Sequence, residues 1–337
     1  MIVLITSLTL LIIALNLGGE ARPWKSPTII GLFAGAGGAF LAFVFAEKSA
    51  KYPVVPMGLF ASMKWRNVPL MTVVRCLLFF HLFATTFYVP IFLQVIGHPE
   101  VLAAALVIPF LLMAAVASLL NSYIVAKTGL IRPVFLASLV ILPVGLGLMS
   151  TLNQYSSIGQ IVGYSLICGF GFGGGTQLTL LIAQVGLPSD LLPTVTAMVS
   201  ATPNLGGVLG VGIIGTIINN TFRMRLQHLV GSLTIPHIND AVTASKDLSI
   251  GANVVVAYVH AFQLGFKILA GIAVVQLVLC LGARRVTLQG GEKEKKQEQE
   301  QELCVVRGGE ITAPIEMQVV NEKKPADSEV QEVVNAV

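Results

Sequence analysis

The six residues GFGFGG, with Gly169, Gly171 and Gly174 in the glycine places, fit the G-x-G-x-x-G pattern. That pattern serves to bring a backbone close to a pyrophosphate at the start of a helix. The chemistry needs a strand before the glycines and an acid about 20 residues after them. Here the glycines lie inside an unbroken apolar run, 158–181, and the first acid to follow is Asp190, in the loop GLPSDLLP. Context therefore excludes a dinucleotide. No H-E-x-x-H, G-x-S-x-G, P-loop or Cys/His metal spacing occurs, and the five histidines are scattered. We expect no enzyme, no cofactor and no metal site.

The remaining groups with chemical potential are ionisable or polar residues inside apolar runs. Such groups are costly in lipid and default to functional candidates. Arg75 stands one or two turns into its run and either snorkels to the inner interface or belongs to a pathway. His81 lies on the same face, and His81 and His260 are candidate proton-sensitive groups, with a satisfied structural histidine as the equal alternative. Lys267, in YVHAFQLGFKILAG, sits near mid-helix and is expected to face protein or a watery cavity. Tyr88, Gln94, Gln177, Gln184 and Asn204 are candidates for a substrate path, with interhelical hydrogen bonding as the competing role. Phe87, Tyr88 and Phe92 beside Pro90 offer an aromatic wall, with lipid-facing aromatics as the competing reading. From Val68 to Gly282 no Asp or Glu falls within a predicted span. Any coupling carboxylate must then come from elsewhere, or histidine must serve instead.

These residues are carried by a chain built for lipid. Hydrophobic residues make up 55% and charged residues 11% of the 337, against about 25% charged in a soluble domain. Mean hydropathy is +0.82. Charge collects in the tail, where EKEKKQEQEQE holds eight charged residues in eleven. The net charge of +4 and the lack of a basic stripe exclude a nucleic-acid partner. The four cysteines show no C-x-x-C and read as inert thiols. A span needs about 20 apolar residues, and eight runs qualify or nearly so: 2–17, 28–46, 68–96, 101–126, 133–152, 158–181, 194–218 and 255–282. The fold class is thus all-α, a polytopic integral membrane bundle of about eight transmembrane helices. Short loops make successive helices antiparallel neighbours.

Lysine and arginine in the loops favour both termini in the cytosol. Asn219-Asn220-Thr221 is a glycosylation sequon on the outer side, placed too near the membrane to be used. The loop 220–254 is mildly amphipathic at FRMRLQHLVGSL and is expected to hold a short interfacial helix. Glycines four apart let helix backbones approach in lipid. Gly163, Gly171 and Gly175 form one such row, and Gly206 with Gly210 a second.

Several segments, in this order, resemble one family. NLGGEARPWKSPTIIGLF resembles the link between the two additional central helices of the fungal fourteen-helix drug:proton antiporters of the major facilitator superfamily. YVPIFLQVIGHPEVLAAALVIPFLL is similar to that branch's proline- and glutamine-bearing helix end and following helix. AKTGLIRP resembles its cytosolic basic turn, and GFGFGGGTQLTLLIAQVGLPSD with NLGGVLGVGIIGTIINNTF its glycine-rich and asparagine-glycine helices. The resemblance implies proton-coupled export of small amphipathic drugs, toxins or secondary metabolites by alternating access. It assigns 1–46 to the two additional central helices, 47–67 to a cytosolic loop and 68–282 to the C-terminal six-helix domain, the second half of the major facilitator fold. The tail 283–337 reads as disordered and cytosolic.

It further implies that the first six-helix half is missing, and that this chain needs that half or a second copy to transport. The family's proline-glycine signature and coupling carboxylates have no counterpart here. Gln94, Gln177, Gln184 and Asn204 fall on positions resembling family motifs, and Lys127 and Arg132 on the basic gate turn. The expected partners are the bilayer, a small-molecule substrate and protons, in the plasma or vacuolar membrane. A siderophore or nutrient transporter of the same superfamily, and a non-transporting membrane protein or scaffold, are the alternatives.

Overall fold

The computed structural model describes residues 2–18, 25–49, 65–230, 243 and 251–282. These form helices α1 (Ile2–Leu17), α2 (Pro27–Ser49), α3 (Asn67–Val95), α4 (Glu100–Ala105), α5 (Ile108–Thr128), α6 (Ile131–Met149), α7 (Ile158–Gln184), α8 (Leu192–Val230) and α9 (Gly251–Leu281). In lipid a backbone must satisfy its own hydrogen bonds, and a helix does so within one segment. Among the described residues, seven spans are long and apolar enough to cross a membrane, α4 and α5 counting as one. The sixteen residues of α1 fall below that length. The tail and the loop 50–64 lie outside the described residues.

The turns between spans have local causes. Gly129 ends α5 in the left-handed region, with φ 69°, and its N–H reaches the carbonyl of Val125 at 2.8 Å. Ser157 and Gln160 form a reciprocal cap at the start of α7. At the opposite end of the bundle, Arg66 and Arg132 donate to the carbonyls of Gly282 and Leu281, each at 2.7 Å. Two cations thus satisfy the terminal carbonyls of α9, where the helix dipole is negative.

Packing between helices runs along glycine seams. A Cβ at Gly206 or Gly210 of α8 would collide with the carbonyl oxygens of Cys76 and Phe80 on α3. On α7 the glycines serve two flanks. Gly169 and Gly173 lie against the backbone of α5 at Phe110 and Ala114, while a Cβ at Gly171 would stand 2.5 Å from the Leu142 nitrogen of α6. Gly175 is looser, 3.3 Å from Leu139 and Leu78, and no atom lies within 4 Å of the corresponding point at Gly163. The glycines of α7 thus form two seams offset around the helix, Gly169 and Gly173 on α5 and Gly171 on α6, which explains how one helix grips both. Beside the main bundle, Ser7 of α1 donates to the Ala36 carbonyl of α2 at 2.9 Å.

The described part of the segment after residue 218 differs from expectation. There α8 does not stop but runs on to Val230, and FRMRLQHLV is its last two turns and more. The reason is packing. Phe222 and Leu226 are buried, as are Val254, Ala257, Tyr258 and Ala261 of α9, and the Phe222 and Tyr258 rings meet edge-on at 5.8 Å. Asn219 is buried within this helix, so the sequon is sterically closed in the folded chain.

Candidate functional site

Arg75, Phe79, Phe83 and Phe87 follow one another at four-residue intervals up α3, each a neighbour of the next in a row that winds by about 120° around the helix from α7 toward α8. The lower rungs are set by α7. Arg75 donates through Nη1 to the Thr176 carbonyl at 2.6 Å and to Thr179 Oγ1 at 3.2 Å. Its guanidinium carbon stands 5.5 Å from the centre of the Phe79 ring. Phe79 in turn meets Phe172 of α7 edge-on at 5.5 Å, and Phe172 lies 6.0 Å from Phe110 of α5. The next rung is set by α8, where Gly207 admits the Phe83 ring. Phe83 and Phe87 are 43% and 54% exposed.

The charge on this ladder is deep. Arg66 marks one end of the bundle, and Arg75 is nine residues further along α3, about 13 Å at the helical rise. Its guanidinium meets α7 at Thr176 and Thr179, about one and a half to two turns before that helix ends at Gln184, so the charge lies within the span on the Arg66 side. It is tied there to α7. Its Nε is buried without a partner. A cation fixed at one end of an exposed aromatic row can orient an amphipathic molecule: rings stack on rings, and polar groups meet the remaining N–H groups.

Other sequence candidates occupy varied places. Asn204 is exposed on α8 one turn before Gly207, and so flanks the ladder. Gln177 is exposed on α7 one turn beyond Gly173 and Gly174; those glycines face α5 and the Asn121–Ser138 pair. Gln94 is half-buried near the end of α3. Gln184 donates to Thr196 at 2.8 Å, tying the end of α7 to the start of α8. Tyr88 is buried and its hydroxyl donates to the Val211 carbonyl at 2.8 Å, in space left by Gly215. Phe92 is also buried, stacked on Phe262 at 4.1 Å. Of the three aromatics near Pro90, only Phe87 presents an open face.

His81 is buried between α3 and α9, its Nδ1 against the Leu77 carbonyl and its Nε2 3.1 Å from the Leu269 carbonyl. His260 is exposed on α9, with Nε2 2.9 Å from Arg225 Nη2. Lys267 is exposed on the same face of α9, two turns on. Lys127 rests over the Tyr123 ring at 4.7 Å, and Arg132 caps α9 as described. Among the described residues no group of three metal-ligating side chains gathers. Sequence reading singled out Arg75 for depth but had no signal for Phe79, Phe83 or Gly207, because a four-residue aromatic spacing also describes a lipid-facing stripe.

Comparison with known proteins agrees with this architecture. Residues 1–211 match the Major Facilitator Superfamily. The chain is 31% identical over 261 residues to the efflux pump roqT of Penicillium rubens, covering 75% of this chain and 45% of that protein. It is 26% identical over 287 residues to the MFS-type transporter pigP of Monascus ruber, covering 83% and 50%. It is also 25% identical over 237 residues to the multidrug transporter protein MdtP of Bacillus subtilis, covering 70% and 42%. The chain thus spans about half the length of the curated relatives it matches. With apolar spans seamed by glycine and a family match over most of its helices, this multi-pass integral membrane protein belongs to the major facilitator superfamily of transporters.

Proposed function

We propose that the chain forms one wall of an exporter for small amphipathic compounds, working by alternating access. The observation that carries this reading is the row of Arg75, Phe79, Phe83 and Phe87, with open aromatic faces at Phe83 and Phe87 and a cation held within the span. The names of the relatives, an efflux pump and a multidrug transporter among them, support the direction of transport. The opposing wall of the cavity comes from a further six-helix half or a second copy. Protons supply the energy, and the coupling carboxylates belong to that opposing wall. Arg66 and Arg132 bind the last carbonyls of α9, and Lys127 ends α5 in the turn that leads to Arg132, which supports a cytosolic placement of that end under the positive-inside rule. The plasma membrane fits an exporter of this kind.

The test is accumulation of a fluorescent amphipathic dye in an efflux-deficient host expressing the assembled transporter. Export predicts lowered accumulation that a protonophore restores, and loss of the effect in the Phe83→Ala, Phe87→Ala double variant. Unchanged accumulation with correctly inserted protein overturns the reading, and raised accumulation points to uptake.

A further inference from the structure

The end of the bundle opposite Arg66 carries a second polar feature, unrelated to the ladder. Its level is fixed by Gln263, which donates to the Leu152 carbonyl at 2.9 Å. Leu152 belongs to the turn 150–157, rich in Ser, Thr and Asn, whose Tyr155 is 85% exposed. A polar turn with an outward tyrosine is a membrane boundary, so α9 crosses the interface at about Gln263. Gly265 packs on Ile218, which places the crossing of α8 beside it. Both helices then continue for twelve residues, about 18 Å, as the packed pair held by Phe222 and Tyr258.

Three basic side chains mark the place where this pair leaves the bilayer. Arg225 Nη2 lies 2.9 Å from His260 Nε2. Lys267 is seven residues further along α9 on the same face, one turn on the membrane side of Gln263. Helical side chains lean toward the helix N-terminus, which for α9 is the direction of His260, so the Lys267 ammonium reaches back to headgroup level. None of the three pairs with a carboxylate among the described residues. Beyond Lys267 the exposed stripe of α9 is aliphatic, with Val275 and Val278 57% and 59% exposed. Cations at headgroup depth above an aliphatic stripe match one ligand in both halves: a phosphate that bears acyl chains.

We propose that Arg225, His260 and Lys267 hold the phosphate of an anionic phospholipid, whose chains lie along Leu264, Gly271, Val275 and Val278 of α9. Arg225 and Lys267 supply charge-assisted donors, and the Arg225–His260 contact fixes the guanidinium at the boundary. The site is independent of the export reading.

The test reconstitutes the full chain in nanodiscs of phosphatidylcholine with increasing phosphatidylglycerol, and counts lipids retained in native mass spectrometry after transfer to detergent. One tightly retained phosphatidylglycerol is expected. Retention should fall about tenfold in Lys267→Gln and again in Lys267→Gln, Arg225→Gln, with Lys127→Gln at the other end unchanged. These positions are exposed, and elution as a single species confirms folding before lipids are counted. Undiminished retention in the double variant overturns the proposal. So does full displacement by millimolar inorganic phosphate, which would mark a free-anion site rather than a lipid site.

Discussion

The seam between α3 and α8 makes a quantitative prediction for Gly206→Ala. The added Cβ would overlap the Cys76 carbonyl oxygen and stand 2.9 Å from its carbon, where ordinary contacts begin at 3.4 Å. The obstacle is backbone, which no side-chain rotation can move aside. The two helices must part by about 0.5–1 Å, which forfeits a quarter to a half of each van der Waals well across the gap. Overpacking of this kind costs about 1–3 kcal/mol, offset by the roughly 0.8–1 kcal/mol that alanine gains over glycine inside a helix. The net expectation is destabilisation by up to about 2 kcal/mol. Gly163→Ala is the matched control, since nothing lies within 4 Å of its Cβ position. It should be neutral or stabilise by up to about 1 kcal/mol. Equilibrium unfolding in mixed detergent micelles, followed by helical circular dichroism, measures both. Equal stability of the two variants, or greater damage from Gly163→Ala, would refute the assignment of the close seam to Gly206.

Three other consequences are open to direct measurement. Tyr88→Phe removes one interhelical hydrogen bond, to the Val211 carbonyl, and should cost about 0.6–1 kcal/mol in the same unfolding assay; a larger loss would mean the hydroxyl does more than this. Asn219 is enclosed in α8, so endoglycosidase treatment should leave the mobility of the native protein unchanged, and Asn219→Gln should migrate with wild type. Arg75→Leu gives up two hydrogen bonds but also relieves a charge in lipid, so stability should change by less than about 2 kcal/mol. The same variant should lose most dye export. Retained export would remove Arg75 from the pathway.

Membrane placement and the number of spans were legible from residue chemistry alone, because the cost of bare backbone and charge in hydrocarbon is paid segment by segment. So was the close packing at Gly206 and Gly210, since four-residue spacing puts small residues on one face wherever the helix lies. Three decisions were not local. The glycines of α7 read as one small-residue face, yet they divide between α5 and α6, because which glycine meets a backbone depends on where two neighbours cross. The chain after Ile218 reads as a loop holding a short interfacial helix at FRMRLQHLVGSL, yet Phe222 and Leu226 make FRMRLQHLV a continuation of α8 by burying against a segment some thirty residues away. Lys267 reads as mid-membrane when only its own run is counted. The bond from Gln263 to Leu152 supports the proposed placement one turn from the boundary. Periodicity along one chain determines which face of a helix is apolar; the depth and partner of each side chain depend on where the other helices begin and end, and only the assembled bundle sets that.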